Sequence, residues 1–220
     1  MKFIKFNTSK FQLTRLVILF LIAAALIQSC KEDETPKPVR DVLVSYEKVG
    51  NITYDKIQVG FSILLNSYPE VKDIPYLNTY NVDIYKVKYK TTFKGETINA
   101  SGMAYVPKSN AAFPVISFQN GTNTVNANAP SMNYTDSQFA LLQYLSGLGY
   151  IVVAPDYIGF GESANILHPY YHRESNDAAV IDLIRATEEI INEKAVSCTS
   201  NGKLMLIGYS QGGWATLSAL

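Results

Sequence analysis

The stretch that most constrains how this 220-residue chain can fold lies at positions 204–213, where Leu204-Met205-Leu206-Ile207 runs straight into Gly208-Tyr209-Ser210-Gln211-Gly212-Gly213. Four successive apolar residues read as a buried strand, and the segment after them fits the G-x-S-x-G pattern of a sharp strand-to-helix turn bearing a nucleophile. A serine at such a turn is held in a strained conformation with its hydroxyl exposed above the sheet edge. Glycines two residues to either side remove the Cβ atoms that would block so tight a reversal. A helix from Trp214 onward would aim its N-terminal N–H groups and positive dipole end at the place where negative charge would develop.

The segments before this turn alternate between strand and helix. Residues 114–118 and 150–154 are short apolar runs of strand length, and residues 137–145 read as a helix. Residues 177–193 form a long amphipathic pattern with Val180, Leu183, Ile184, Thr187 and Ile191 on one face and Asn176 as its expected cap. Strands spaced by helices imply right-handed crossovers and a mostly parallel sheet, whose sites gather at the C-terminal strand ends. Upstream, residues 82–93 alternate apolar and polar, as expected of a half-solvated antiparallel strand. Lys94-Gly95 turns it and residues 97–106 return, closed by Pro107. Residues 41–75 are the least legible, with a helix expected over 54–65 that Gly60 weakens.

Two further strand ends carry distinctive loops. After residues 114–118 comes Gln119-Asn120-Gly121-Thr122, in the place from which the α/β-hydrolase layout, which the turn at 208–212 resembles, supplies a second backbone N–H to the oxyanion; the alternative is a plain loop with positive φ. Thr122 and Gln211 are therefore the expected oxyanion-hole donors, each worth roughly 2.7–4 kcal/mol if typical. After residues 150–154 comes Pro155-Asp156-Tyr157-Ile158-Gly159-Phe160-Gly161-Glu162-Ser163. Taken together, these three segments resemble the α/β-hydrolase superfamily over most of residues 80–220, with the secreted lipase and esterase branch the nearest match. The resemblance implies an α/β fold in which an antiparallel hairpin opens the sheet. It also implies that Asp156 shapes the site rather than reacting, a catalytic role being the lesser reading.

The N-terminus reads as an address. Positions 1–15 hold Lys2, Lys5, Lys10 and Arg15 with no acid, and the 12 residues 16–27 are uniformly apolar, too short for a comfortable membrane span. The run ends in Ile27-Gln28-Ser29-Cys30, which resembles a relaxed lipobox of Gram-negative lipoproteins, with Gln28 departing from the usual small residue. Cys30 would then be acylated, and the acidic cluster Glu32-Asp33-Glu34 resembles signals that route some lipoproteins to the cell surface. An uncleaved N-terminal anchor is the alternative. The expected organisation is a signal peptide over 1–29, a lipidated tether over 30–40 and an α/β-hydrolase domain over 41–220, placed outside the cytoplasm at the outer membrane. Without the leader, 15 bases face 19 acids, a balance that argues against nucleic acid as a partner. Cys198, the one other cysteine, sits in a loop as a free thiol or as half of a disulfide to a residue beyond Leu220.

A serine nucleophile needs a base, and the base needs an orienting acid. The superfamily's chain order is Ser, then Asp or Glu, then His. Only ten residues follow Ser210, and none is His, Asp or Glu. The two histidines, His168 and His172, stand before the long helix in a loop with Tyr170 and Tyr171. The expectation is therefore a C-terminally incomplete domain whose acid, histidine and last strands lie beyond Leu220; a base supplied by His168 or His172 is the alternative. The resulting reading is a lipid-anchored serine hydrolase acting on small-molecule or lipid carboxylic esters through an acyl-enzyme on Ser210. No His/Cys cluster has ligand spacing, so no metal or other cofactor is expected. A serine peptidase of the same fold and a non-catalytic surface-binding lipoprotein are the rivals.

Overall fold

The computed structural model describes residues 40–67 and 79–220, so the leader, Cys30 and all but the last residue of the tether lie outside the described residues. Among the described residues six strands form one sheet: β1 (Leu43–Ile52), β2 (Val82–Phe93), β3 (Glu96–Pro107), β4 (Ala112–Gln119), β5 (Ile151–Pro155) and β6 (Thr199–Gly208). Their spatial order is β1-β2-β3-β5-β4-β6. The β1–β2, β2–β3 and β3–β5 pairs are antiparallel, whereas β4 runs parallel to both β5 and β6. The described helices are α1 (Tyr54–Ser67), α2 (Ala140–Gly147), α3 (Arg173–Asn192) and α4 (Gln211–Ser218).

Two cores follow from covering this sheet on both faces. On one side Ala179, Leu183, Ala186 and Ile190 of α3 pack against Val87, Tyr89, Ala104 and Val153. On the other, Ile57 of α1 and Leu142 of α2 meet Ile84, Met103, Ile116 and Val152. The hairpin turn is as expected: Lys94 (φ 51°) and Gly95 (φ 81°) both take positive φ, which closes a two-residue turn with the hand of twisted strands.

Four expectations change. Residues 43–52 form a strand that the pattern concealed, because register shifts at Leu43/Ser45 and Lys48/Gly50 break its alternation. β2 is not half solvated: Val82 and Ile84 enter one core and Tyr85, Val87 and Tyr89 the other. Its lysines Lys86 and Lys88 lie under Glu162, with Lys88 Nζ 2.8 Å from the carboxylate. The long helix begins at Arg173 and is capped by His172, whose Nδ1 accepts the Ser175 N–H at 3.3 Å; Asn176 instead lies inside the helix and donates to the His172 carbonyl. Finally, Leu204, Met205 and Ile207 are 50%, 40% and 37% exposed rather than buried, since among the described residues β6 has β4 as its one strand neighbour.

A carboxylate ties the first strand to the body. Glu189 of α3 accepts the backbone N–H groups of Asp41, Val42 and Leu43 at 3.1, 3.1 and 2.9 Å. Beside it Arg40 pairs with Glu193. Cys198 is buried in the core under α3 and free among the described residues, and burial pushes its thiol pKa up to about 11.

Candidate active site

β6 delivers Ser210 to the C-terminal edge of the sheet, where α4 starts at the next residue. Ser210 is exposed and sits at φ 55°, ψ −118°, outside the regions an L-residue occupies comfortably. Its neighbours make that conformation possible. A Cβ on Gly208 would fall against the Gly212 carbonyl, and one on Gly212 would fall against the backbone carbonyl of Gln119. The two glycines thus let β6, β4 and the first turn of α4 approach within backbone contact. Gly212 N–H donates to the Tyr209 carbonyl at 2.8 Å and Trp214 N–H to the Ser210 carbonyl at 3.2 Å, fastening the reversal.

The loop after β4 reaches the same place. Gly121, Thr122, Tyr209 and Ser210 line one hollow of about 400 Å³. Gln211, as the first residue of α4, has an N–H with no intrahelical acceptor. Neither Asn120 nor Gly121 takes positive φ, so the plain left-handed loop is not what these residues form. The Asn120 side chain donates to the Gly121 carbonyl at 2.8 Å, and Tyr157 donates its hydroxyl to the Asn120 carbonyl, also at 2.8 Å. Burial raises the Tyr157 pKa well above the usual phenol range, so it remains a donor. A second hollow of about 700 Å³ adjoins the first through Thr122 and Asn123, with Phe160, Ile166, Leu167 and Tyr170 on its walls.

The loop after β5 braces the floor of this region. Asp156 is 1% exposed and accepts the Ser101 hydroxyl at 2.5 Å and the Ser131 N–H at 2.9 Å. Burial pushes its carboxyl above the usual range despite those two hydrogen bonds, which pull the other way. A Cβ on Gly161 (φ 58°) would strike both Asp156 Oδ2 and Ser101 Oγ, so glycine is required for this loop to close over the carboxylate. The hydrogen bonds of Asp156 all run to this bracing, consistent with a shaping role.

Neither histidine hydrogen-bonds Ser210 among the described residues. His172 caps α3, as described above. His168 Nδ1 lies 2.7 Å from the Ile158 carbonyl oxygen and its Nε2 lies 3.2 Å from the Gln211 side-chain amide nitrogen. Tyr170 hydrogen-bonds Thr122 Oγ1 at 3.0 Å, and Tyr171 packs edge-on against Trp214 with centroids 5.0 Å apart. These links of Tyr157, His168 and Tyr170 to the two candidate donor segments were not foreseeable from spacing. Their one trace in the sequence is the density of aromatic residues in the loops after β5.

Residues 125–220 match the family model described as secretory lipase. Among solved structures, a candidate hydrolase of Legionella pneumophila is 31% identical, with a TM-score of 0.68 over 81% of this chain and 47% of that one. The rice cell wall degrading esterase LipA from Xanthomonas oryzae is 29% identical, with a TM-score of 0.67 over 83% of this chain and 45% of that one. Candida antarctica lipase A, at 21% identity and a TM-score of 0.52 over 80% and 37%, shares the fold alone. No curated protein matches the sequence significantly. The chain spans less than half the length of these solved structures. It has the α/β-hydrolase fold, and it is similar to lipases and esterases built on that fold.

Proposed function

We propose that this chain carries the nucleophile and oxyanion hole of a serine hydrolase that cleaves carboxylic esters. The observation that supports this reading most is the strained backbone of Ser210 (φ 55°, ψ −118°) between a strand and a helix. Strain of this kind costs about 1–3 kcal/mol and persists where surrounding structure over-determines it, typically at reactive groups. In the proposed reaction Ser210 Oγ attacks the ester carbonyl carbon and passes its proton to a general base. The carbonyl oxygen becomes an oxyanion held by the Gln211 and Thr122 N–H groups. The tetrahedral intermediate expels the alcohol, which takes up the proton from the base, leaving an acyl-Ser210 ester that water then hydrolyses by the same route.

We place the base and its orienting acid in sequence following Leu220. Both histidines present are engaged elsewhere, His172 as a helix cap and His168 between Ile158 and Gln211. The apolar outer residues of β6 are also suited to cover by further strands. The Phe160–Tyr170 hollow would receive an apolar part of the substrate. Cys30, acylated, would hold the enzyme at the outer membrane, facing substrates outside the cytoplasm.

A fluorophosphonate probe tests the nucleophile: labelling of the full-length protein should vanish in Ser210→Ala, and labelling that survives would refute the assignment. Hydrolysis of p-nitrophenyl acetate by residues 30–220 alone, lost in His172→Ala, would overturn the placement of the base. Palmitate incorporation that persists in Cys30→Ala would overturn the anchor.

A further inference from the structure

We propose that His168 is a positioning residue for the oxyanion hole, acting as a neutral, one-way hydrogen-bond link that holds Gln211 in place. This inference rests on the serine hydrolase reading above. A carbonyl oxygen can only accept, so the 2.7 Å contact with the Ile158 carbonyl puts the ring proton on Nδ1. Nε2 is then left with a lone pair, which faces the Gln211 amide nitrogen at 3.2 Å. Donors and acceptors run in one direction along this link: Gln211 side-chain Nε2–H to His168 Nε2, then His168 Nδ1–H to Ile158 O.

The ring itself is fixed from three sides. Phe160 packs at 4.8 Å between centroids, Tyr157 lies nearly parallel at 6.1 Å and 20°, and Tyr170 stands edge-on at 6.0 Å. Gly159 (φ 99°) makes room for it, since a Cβ there would lie 2.5 Å from the His168 Cα. The other end of the link is equally constrained. Gln211 is fully buried and its Oε1 has no partner, so the bond to His168 is the one polar hold on this amide among the described residues. Losing it strands a second amide atom away from water, and the side chain must move to recover a partner.

Movement of this side chain is carried into the site because Gln211 immediately follows Ser210 and opens α4. Its backbone N–H is one of the two proposed oxyanion donors, and a misplacement of about 1 Å at such a donor costs on the order of 100-fold in rate. The opposite donor segment is tethered to the same strap: Tyr157, whose ring stacks on His168, donates to the Asn120 carbonyl, and Tyr170 bonds Thr122. The loops after β5 thus tie both sides of the hole, with His168 joining them to Gln211. This arrangement gives the histidine a task that does not require it to take a proton from Ser210.

The test compares His168→Phe, which keeps a ring and removes the acceptor, with His168→Gln, whose side-chain oxygen can accept the same N–H. Gln211→Met and the double variant His168→Phe/Gln211→Met complete a cycle in the full-length protein. Turnover of p-nitrophenyl butyrate and the rate of fluorophosphonate labelling are the readouts, with thermal melting as a folding control. We expect His168→Phe to lower kcat about 10–100-fold with KM changed less than about threefold. His168→Gln should recover most of that loss. In the Gln211→Met background His168→Phe should cost little further, because the link is already cut. A His168→Phe rate equal to wild type, a full additional loss in the Gln211→Met background, or no recovery in His168→Gln would each overturn the proposal. If His168→Phe does not fold, Gln211→Met alone must reproduce the kcat loss, and an unchanged rate there also overturns it. A wild-type protein inert to both ester and probe would instead refute the hydrolase reading and this inference with it.

Discussion

Asp156 offers a perturbation whose outcome can be worked through atom by atom. Replacing it with alanine removes the acceptor of the Ser131 N–H, a backbone donor at a residue only 7% exposed. The Ser101 hydroxyl is less affected, since Ser131 Oγ lies 3.3 Å away and can accept its proton instead. One stranded buried N–H costs about 1–3 kcal/mol, and the void left by the carboxylate adds to it. Asp156→Ala should therefore lose about 2–3 kcal/mol, or roughly 4–12 °C in Tm at 2–4 °C per kcal/mol for a domain of this size. Asp156→Asn is different. Its Oδ1 keeps the Ser131 N–H while its Nδ2 donates to Ser101 Oγ, reversing that bond. Ser101 Oγ then accepts from Asn Nδ2 and, as before, from Glu162 N–H at 2.9 Å, and gives its own proton to Ser131 Oγ. Ser131 N–H and Ser101 Oγ both stay paired and one Asn Nδ2–H is left over, so the asparagine variant should lose about 1 kcal/mol, less than the alanine variant, at neutral pH.

The pH dependence separates the variants further. Because burial raises the folded-state pKa of Asp156 above its ordinary 3.8, its contribution to stability is complete below 3.8 and is lost as pH rises through the raised value. Each tenfold change in proton affinity is worth about 1.4 kcal/mol. Wild type should thus lose stability relative to Asp156→Asn across that window, and above it the two should run parallel. Urea unfolding followed by Trp214 fluorescence from pH 4 to 8 measures both effects. Equal destabilisation by alanine and asparagine, or a gap between wild type and Asp156→Asn that does not change with pH, would refute this account of the buried carboxylate.

Three other outcomes are expected. Ser210→Gly should be about 1 kcal/mol more stable than Ser210→Ala by chemical denaturation, because only glycine relieves φ 55°, ψ −118°, and a glycine variant no more stable than alanine would argue against strain. Glu189→Ala should cost about 1.5–3 kcal/mol and free the first strand, seen as fast hydrogen exchange at Val42 and Leu43, whereas unchanged protection there would disprove the clamp. With Cys30 replaced by alanine, Cys198 should resist a thiol reagent at pH 8 in the folded protein and react in guanidinium, because burial holds its pKa near 11; rapid labelling of the folded protein would contradict that.

Much of the fold was legible because several segments announce themselves locally. The Lys94-Gly95 turn between two extended runs specified its hairpin, as positive φ at both positions suits few other residue pairs. The glycines around Ser210 declared a tight turn, and the structure places them where a Cβ would meet backbone. The first strand escaped because its two register shifts erase the alternation on which strand reading depends. The cap of α3 was misplaced because an asparagine is a commoner cap than a histidine, yet His172 reaches Ser175.

The sequence by itself determined the chemistry-bearing turn, the alternation of strands and helices, and the loops that would meet at the sheet's C-terminal edge. These depend on local backbone requirements and on periodicity, which a one-dimensional pattern carries. Only the tertiary structure decided what His168 touches, that Tyr157 holds the loop after β4, and which groups hydrogen-bond the buried Asp156. Each of those includes a partner far away in sequence, Gln211 for His168 at 43 positions, Asn120 for Tyr157 at 37 and Ser101 for Asp156 at 55, brought together by the order β3-β5-β4-β6. No spacing rule encodes such pairs, because they exist only once the sheet has closed and the buried polar groups have had to find one another.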